Sequence, residues 1–135
     1  MKRKYKVFLM FSIMFIAILL VPIKVQADPD PRFWHWIGSN DEMGFFVSTG
    51  KPMRYSTGVK QWLMTVHADG SYEVELNGFR WNNGKESALL QYTDYNSNGK
   101  VIGSGDVPYI TWYLVVPGSY GEEIWDYVSS QVKYM

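Results

Sequence analysis

Three glycines constrain this chain more than any other feature. Gly70, Gly84 and Gly99 each close a short polar turn: Ala68-Asp69-Gly70, Asn82-Asn83-Gly84 and Ser97-Asn98-Gly99. Each turn separates stretches rich in β-branched and aromatic residues. Glycine adopts the left-handed backbone that ends a three-residue hairpin loop, because it has no Cβ to clash. The spacing of 14 to 15 residues leaves room for one strand and one turn in each unit. The pattern therefore predicts an antiparallel meander. Parallel strands would need a crossover of about a dozen residues or more between them.

Register decides the form of the first hairpin. Trp62, Met64 and Val66 alternate along one strand, and Tyr72, Val74 and Leu76 alternate with Glu73 and Glu75 along the next. A two-residue loop, Asp69-Gly70, would set Val66 against Glu73. The three-residue loop sets Val66 against Tyr72, Met64 against Val74 and Trp62 against Leu76, and so keeps the apolar side chains on a common face. Strands are also expected over 33–38, 44–48, 79–81, 87–95 and 100–104, flanking those over 59–67 and 71–76, with a loop over 49–58. Gly78 falls where the alternation after Leu76 changes phase, which predicts a bulge there.

Beyond Pro117-Gly118 the period changes. Ile124, Val128 and Val132 recur every four residues, and Ser119 stands three residues before Glu122 in a capping box. Glu122, Glu123 and Asp126 lie in the first turns, where the helix dipole favours acidic groups. An amphipathic helix is expected over 120–132. The fold class is thus α+β, an antiparallel meander sheet of about six strands with one C-terminal helix packed on one face.

The first 27 residues carry a different signal. Lys2, Arg3, Lys4 and Lys6 precede an almost wholly apolar run from Val7 to Ile23, and Val25-Gln26-Ala27 offers small residues at a cleavage site. This predicts a secretory signal peptide over 1–27 and a single domain over 28–135, exported to the cell surface, the periplasm or the medium. A retained anchor is the alternative, since about 17 apolar residues lie at the lower limit for crossing a bilayer. Five of the 13 basic residues belong to 1–27, so eight remain against 13 acidic ones and the domain carries a net charge of −5. That balance argues against nucleic acid and against anionic membrane surfaces, and leaves the signal peptide as the expected contact with a membrane. The chain has no cysteine, which removes disulfides, thiol catalysis and cysteine-ligated metal centres.

The order of its segments resembles the surface-adhesin E family. The resemblance rests on Trp34-His35-Trp36-Ile37 before Ser39-Asn40-Asp41, then Phe45-Phe46-Val47 and Val59-Lys60-Gln61-Trp62. It continues through Tyr92-Thr93-Asp94-Tyr95 and Asn98-Gly99-Lys100-Val101-Ile102. Its most specific stretch is Trp112-Tyr113-Leu114-Val115-Val116-Pro117-Gly118-Ser119, leading into Gly121-Glu122-Glu123-Ile124. The resemblance implies an antiparallel sheet with a C-terminal helix against it, and contact with host extracellular-matrix proteins. Members often carry a cysteine pair and an Asp after the second strand's aromatics. This chain lacks the pair and has Ser48 in the Asp position, which marks it as divergent.

Candidate chemistry is sparse. Asp94, Asn96, Asn98 and Gly99 fit the first half of a calcium loop, but the twelfth position is Gly105 where a bidentate Glu is needed, and a hairpin turn explains the same residues. His67 and Asp69, with His35, are the available metal-ligand types, though nothing in their spacing demands convergence. Glu73 and Glu75 stand about 7 Å apart on one strand face, a spacing that glycosidases use and that solvated strand faces show routinely. No nucleophile elbow, phosphate loop or dinucleotide fingerprint is present. The expectation is a non-enzymatic binding protein with no cofactor and no metal.

The aromatics are the remaining candidates. Trp34 and Trp36 share one side of the first strand. Either they face the helix and build the core, or they form a patch for a protein, a glycan or a second copy in a homodimer. Trp34, Trp36 and Trp81 are the expected contact residues. The expected partner is a host matrix protein or another envelope protein. The alternative function is periplasmic envelope assembly or small-ligand binding.

Overall fold

The structure, a computed structural model, describes residues 29–133, so the expected signal peptide lies outside the described residues. Eight strands and one helix follow in chain order: β1 Trp34–Ser39, β2 Met43–Ser48, β3 Met53–Tyr55, β4 Gly58–His67, β5 Tyr72–Trp81, β6 Lys85–Tyr95, β7 Val101–Asp106, β8 Tyr113–Leu114 and α1 Tyr120–Ser130. The sheet runs β1-β2-β4-β5-β6-β7, every pair antiparallel. β3 continues the line of β2 along the edge of β4, and β8 pairs with β6 beyond the end of β7. This is the expected α+β meander.

The first hairpin takes the three-residue register: Val66 faces Tyr72, Met64 faces Val74 and Trp62 faces Leu76. Gly70 sits at φ +89, and its N–H donates to the His67 carbonyl at 2.9 Å. At the third hairpin, Asn96 Oδ1 accepts from the Asn98 and Lys100 N–H groups. The oxygen that the calcium reading would assign to a cation is thus spent on the turn.

Two sequence expectations are corrected. The segment 49–58 is not all loop, because Met53–Tyr55 pairs with β4 as β3. Gly78 is not a bulge, for β5 runs through it with Lys60 and Ala88 as partners. The irregularity lies one step earlier, where Leu76 faces Gln91 and Asn77 faces Leu89, leaving Leu90 as the extra residue on β6. Gly78 is small for another reason. A Cβ there would come within 2.9 Å of Trp112 Cη2, so the glycine makes the seat for that indole.

The helix forms as its period dictates. Ser119 Oγ accepts the Glu122 N–H at 3.2 Å, and Glu122 Oε1 reaches back to the Gly118 N–H at 2.9 Å. Ile124, Trp125 and Val128 are buried against Val47, Val59, Leu63 and Phe79, and this layer is the core. Polar ties lock the helix in place. The Trp125 indole N–H is shared between the Arg80 and Glu86 carbonyls at 3.3 and 3.2 Å. The Tyr120 hydroxyl donates to the Ser39 carbonyl at 2.8 Å. Gln61, only 2% exposed, donates to the Gly50 carbonyl at 2.7 Å, and Gln131 donates to the Ser48 and Gly50 carbonyls.

Candidate functional site

One helix covers one face, so the other face of the sheet is the place to look. Strand alternation assigns each side chain. His35 stacks on Tyr127 of α1 with ring centroids 4.1 Å apart, so β1 turns His35 to the helix and Trp34 and Trp36 away from it. The two indoles are therefore not core residues of the helix layer. Trp81 belongs to the helix side, where it meets Trp125 edge-on at 6.4 Å and remains 57% exposed. The structure thus brings Trp34 and Trp36 onto one surface and sets Trp81 on the opposite one.

Three rows of paired residues cross the face away from the helix. Trp36, Phe46, Met64, Val74, Thr93 and Ser104 make the first. Trp34 pairs with Ser48 in the second, which continues through Trp62, Leu76, Gln91 and Asp106. Gly44, Val66, Tyr72, Tyr95 and Val101 make the third. Across these rows the one formal charge is Asp106, at the β7 edge; beyond them on the same face Lys60 lies over the Tyr55 ring at 5.5 Å.

The face is also concave. Phe33 and Trp34 at the β1 edge share a cleft of about 330 Å³ with Thr93 and Tyr95 of β6, and Ser48, Trp62 and Val74 form the rest of its lining. In a flat sheet β1 and β6 would stand about 19 Å apart, four strand spacings, so the sheet must curl over this side. Phe46, Leu76 and Ala88 are buried on this face. Trp112 closes one end. It rests on Gly78, has the Arg80 guanidinium 4.1 Å from its ring centroid, and neighbours Tyr55. Arg80 is held in turn by Glu86 at 2.6 Å. At another border Tyr72 and Tyr95 stack with centroids 4.5 Å apart.

The lining carries donors without protein partners. Among the described residues, none accepts a hydrogen bond from the indole N–H of Trp34, Trp36 or Trp62. Neither the Trp34 nor the Trp62 nitrogen is a buried orphan, so both are open to solvent. The cleft therefore presents aromatic planes and unused N–H groups, with the hydroxyls of Thr93 and Tyr95.

The acidic groups lie elsewhere. Glu75 pairs with Leu63 and Glu73 with Thr65, which puts both on the helix side. Glu73 Oε2 is 2.7 Å from His67 Nε2. Glu75 is not the solvated residue that alternation alone suggests. Burial pushes its carboxyl above the ordinary value, and the charges of Glu73 and Asp94 push it the same way. His35 and His67 have separate partners, and among the described residues no group of three or more His, Cys, Asp or Glu is placed to hold a metal ion.

Trp62, Tyr95, Phe33 and Thr93 are cleft residues that sequence reasoning did not single out. A signal for them exists. Phe45 and Phe46 are adjacent, as are Trp62 and Leu63, so both faces of these strands are apolar while one helix serves one face. No protein family, curated protein or solved structure matches this chain.

Proposed function

We propose that this chain is an exported, non-enzymatic, adhesin-like binding module that holds a macromolecular partner on the concave face of its sheet. The observation that carries the reading is the curled, aromatic surface away from the helix, lined by Trp34, Trp62 and Tyr95. An aromatic patch of this kind costs solubility unless it is used, and aromatic residues supply much of the energy of protein interfaces. The cleft lining offers indole, phenol and hydroxyl groups and no carboxylate or imidazole, which suits holding better than proton transfer. A host extracellular-matrix protein is the partner that the adhesin-like segments favour. Trp81, on the helix side, has no part in this surface.

The test measures binding of the purified protein to a panel of immobilised matrix proteins, alongside a Trp34→Ala, Trp36→Ala, Trp62→Ala variant with native circular dichroism. Loss of binding in the variant is the expected result. Unchanged binding to every panel member would sink the proposal, as would protection of the protein from added protease on intact producing cells.

A second reading has one observation in its favour. The cleft volume of about 330 Å³ lies within the range of small-molecule sites, which fits a periplasmic small-ligand-binding protein. A rise in melting temperature with a small ligand, but with no matrix protein, would favour it.

A further inference from the structure

Accepting the concave face as the binding site, the question is what chemistry fills it. We infer that it takes a proline-rich segment in the polyproline II conformation. Three observations point there.

The first is charge. The rows over the cleft are neutral up to Asp106 at the rim, and the cations at the Trp112 end, Lys60 and Arg80, are engaged by the Tyr55 and Trp112 rings, so the cleft itself offers an occupant no charged partner. The domain's net charge of −5 further disfavours an acidic partner.

The second is the balance of donors and acceptors. The indole N–H groups of Trp34, Trp36 and Trp62 are unused within the described residues and stand ready for acceptors on an occupant. The Ser48 oxygen is already engaged by the Gly50 N–H at 3.0 Å. A polyproline segment brings the complement: carbonyl acceptors with no internal hydrogen bonds, no N–H on its prolines, and apolar rings that pack on aromatic planes.

The third is size. Six strand positions and three rows give a patch of about 24 Å by 14 Å, on the order of 340 Å². That is well below the roughly 800 Å² per partner of a stable dimer interface. At about 3.1 Å per residue, four or five residues of polyproline II span its short side. The patch is therefore matched to a linear segment better than to a second copy.

The experiment titrates the purified protein with a decaproline peptide and follows its indole N–H resonances by NMR. A Gly-Ser peptide of equal length and cellohexaose serve as controls. Expected is saturable binding that shifts the Trp34, Trp36 and Trp62 signals and leaves Trp125 in place. Trp34→Phe and Trp62→Phe keep an aromatic plane and remove the donor, so each should weaken binding about three- to tenfold. Trp34→Ala with Trp62→Ala should abolish it; if that double variant does not fold, the Phe variants carry the test. Absence of decaproline binding, or binding unchanged in both Phe variants, overturns the inference. Saturation by cellohexaose alone, or protection of the same resonances by self-association, overturns it too. If matrix proteins bind through Trp34 and Trp62 while decaproline does not, the binding-module reading stands and only this occupant falls. If neither engages the face, both fall.

Discussion

Which face the helix covers decides which face is free to bind, and Trp125 tests that placement directly. This residue is 6% exposed, and its N–H bridges the Arg80 and Glu86 carbonyls across the β5–β6 hairpin. Trp125→Phe removes the donor and part of the ring. Losing the shared hydrogen bond costs about 1 kcal/mol. A phenyl ring leaves a void of about 40 Å³, which at about 24 cal/mol per Å³ adds roughly another 1 kcal/mol. The total of about 2 kcal/mol corresponds to a fall in melting temperature of about 8–15 °C for a domain of this size. Urea unfolding should show a lower midpoint at an unchanged slope. The companion is Trp36→Phe. Trp36 is 58% exposed on the face away from the helix, so its change should stay within about 0.5 kcal/mol. A Trp125→Phe cost below about 0.5 kcal/mol, or a Trp36→Phe cost equal to it, would refute the assignment of faces and the site built on it.

Three further outcomes are expected. Gly78→Ala should cost about 1–3 kcal/mol in urea unfolding and make the Trp112 fluorescence more solvent-exposed, because the new Cβ would stand 2.9 Å from Trp112 Cη2. Ser119→Ala removes the acceptor for the Glu122 N–H and should lower stability by about 1 kcal/mol, read from the same midpoint. Glu75 is a carboxyl whose folded-state value is raised, so the native state binds its proton more tightly than the unfolded chain does. Its contribution to stability therefore falls as pH rises through the interval above the ordinary value of 4.5. Glu75→Gln should raise the urea midpoint at pH 7, with the gain vanishing below about pH 4.5; equal midpoints at pH 7 would refute the role of burial.

The hairpin between β4 and β5 was legible to the residue, because only one register keeps Trp62, Met64 and Val66 with Leu76, Val74 and Tyr72. The helix was legible because its cap and its four-residue period agree. What escaped was non-local. Gly78 looks like a defect in β5 until Trp112, 34 residues later in the chain, settles on it. The true bulge falls at Leu89-Leu90, two apolar residues in succession that break strict alternation, and that local signal was available. β3 has only three residues, too few for alternation to register, and is visible only through its pairing with Lys60, Val59 and Gly58. The side chosen by Trp34 and Trp36 depends on which face Ile124 and Val128 occupy. Nothing within β1 itself carries that information, since His35 and Ile37 are plausible occupants of either side.

Curvature resolves the tension in having an aromatic face on the side away from the helix. On a flat sheet three rows of Trp, Phe, Met and Tyr would be an open patch prone to association. Curling brings Phe33 and Trp34 toward Thr93 and Tyr95, so that Trp34 and Trp62 become half-buried against neighbours of their own sheet. The devices that produce the curl lie within the strands. One bulge falls between Trp36 and Gly38, one opposite Leu76 and Asn77, and one between Asp94 and Tyr95. Bulges increase local twist and bend a strand. They sit on β1 and β6, which form the two walls of the cleft, and on the β6–β7 border beside Tyr95. The helix and its polar ties fix the convex side, and the bulges bend the walls inward over the concave side. Removing Leu90, the extra residue on β6, should therefore open the cleft without unseating the helix. Ring-current shifts of Trp34 and Tyr95 would relax toward exposed values while those of His35 over Tyr127 persist. If both sets moved together, the cleft and the core would be one cooperative unit, and the concave face could not be tuned separately from the fold.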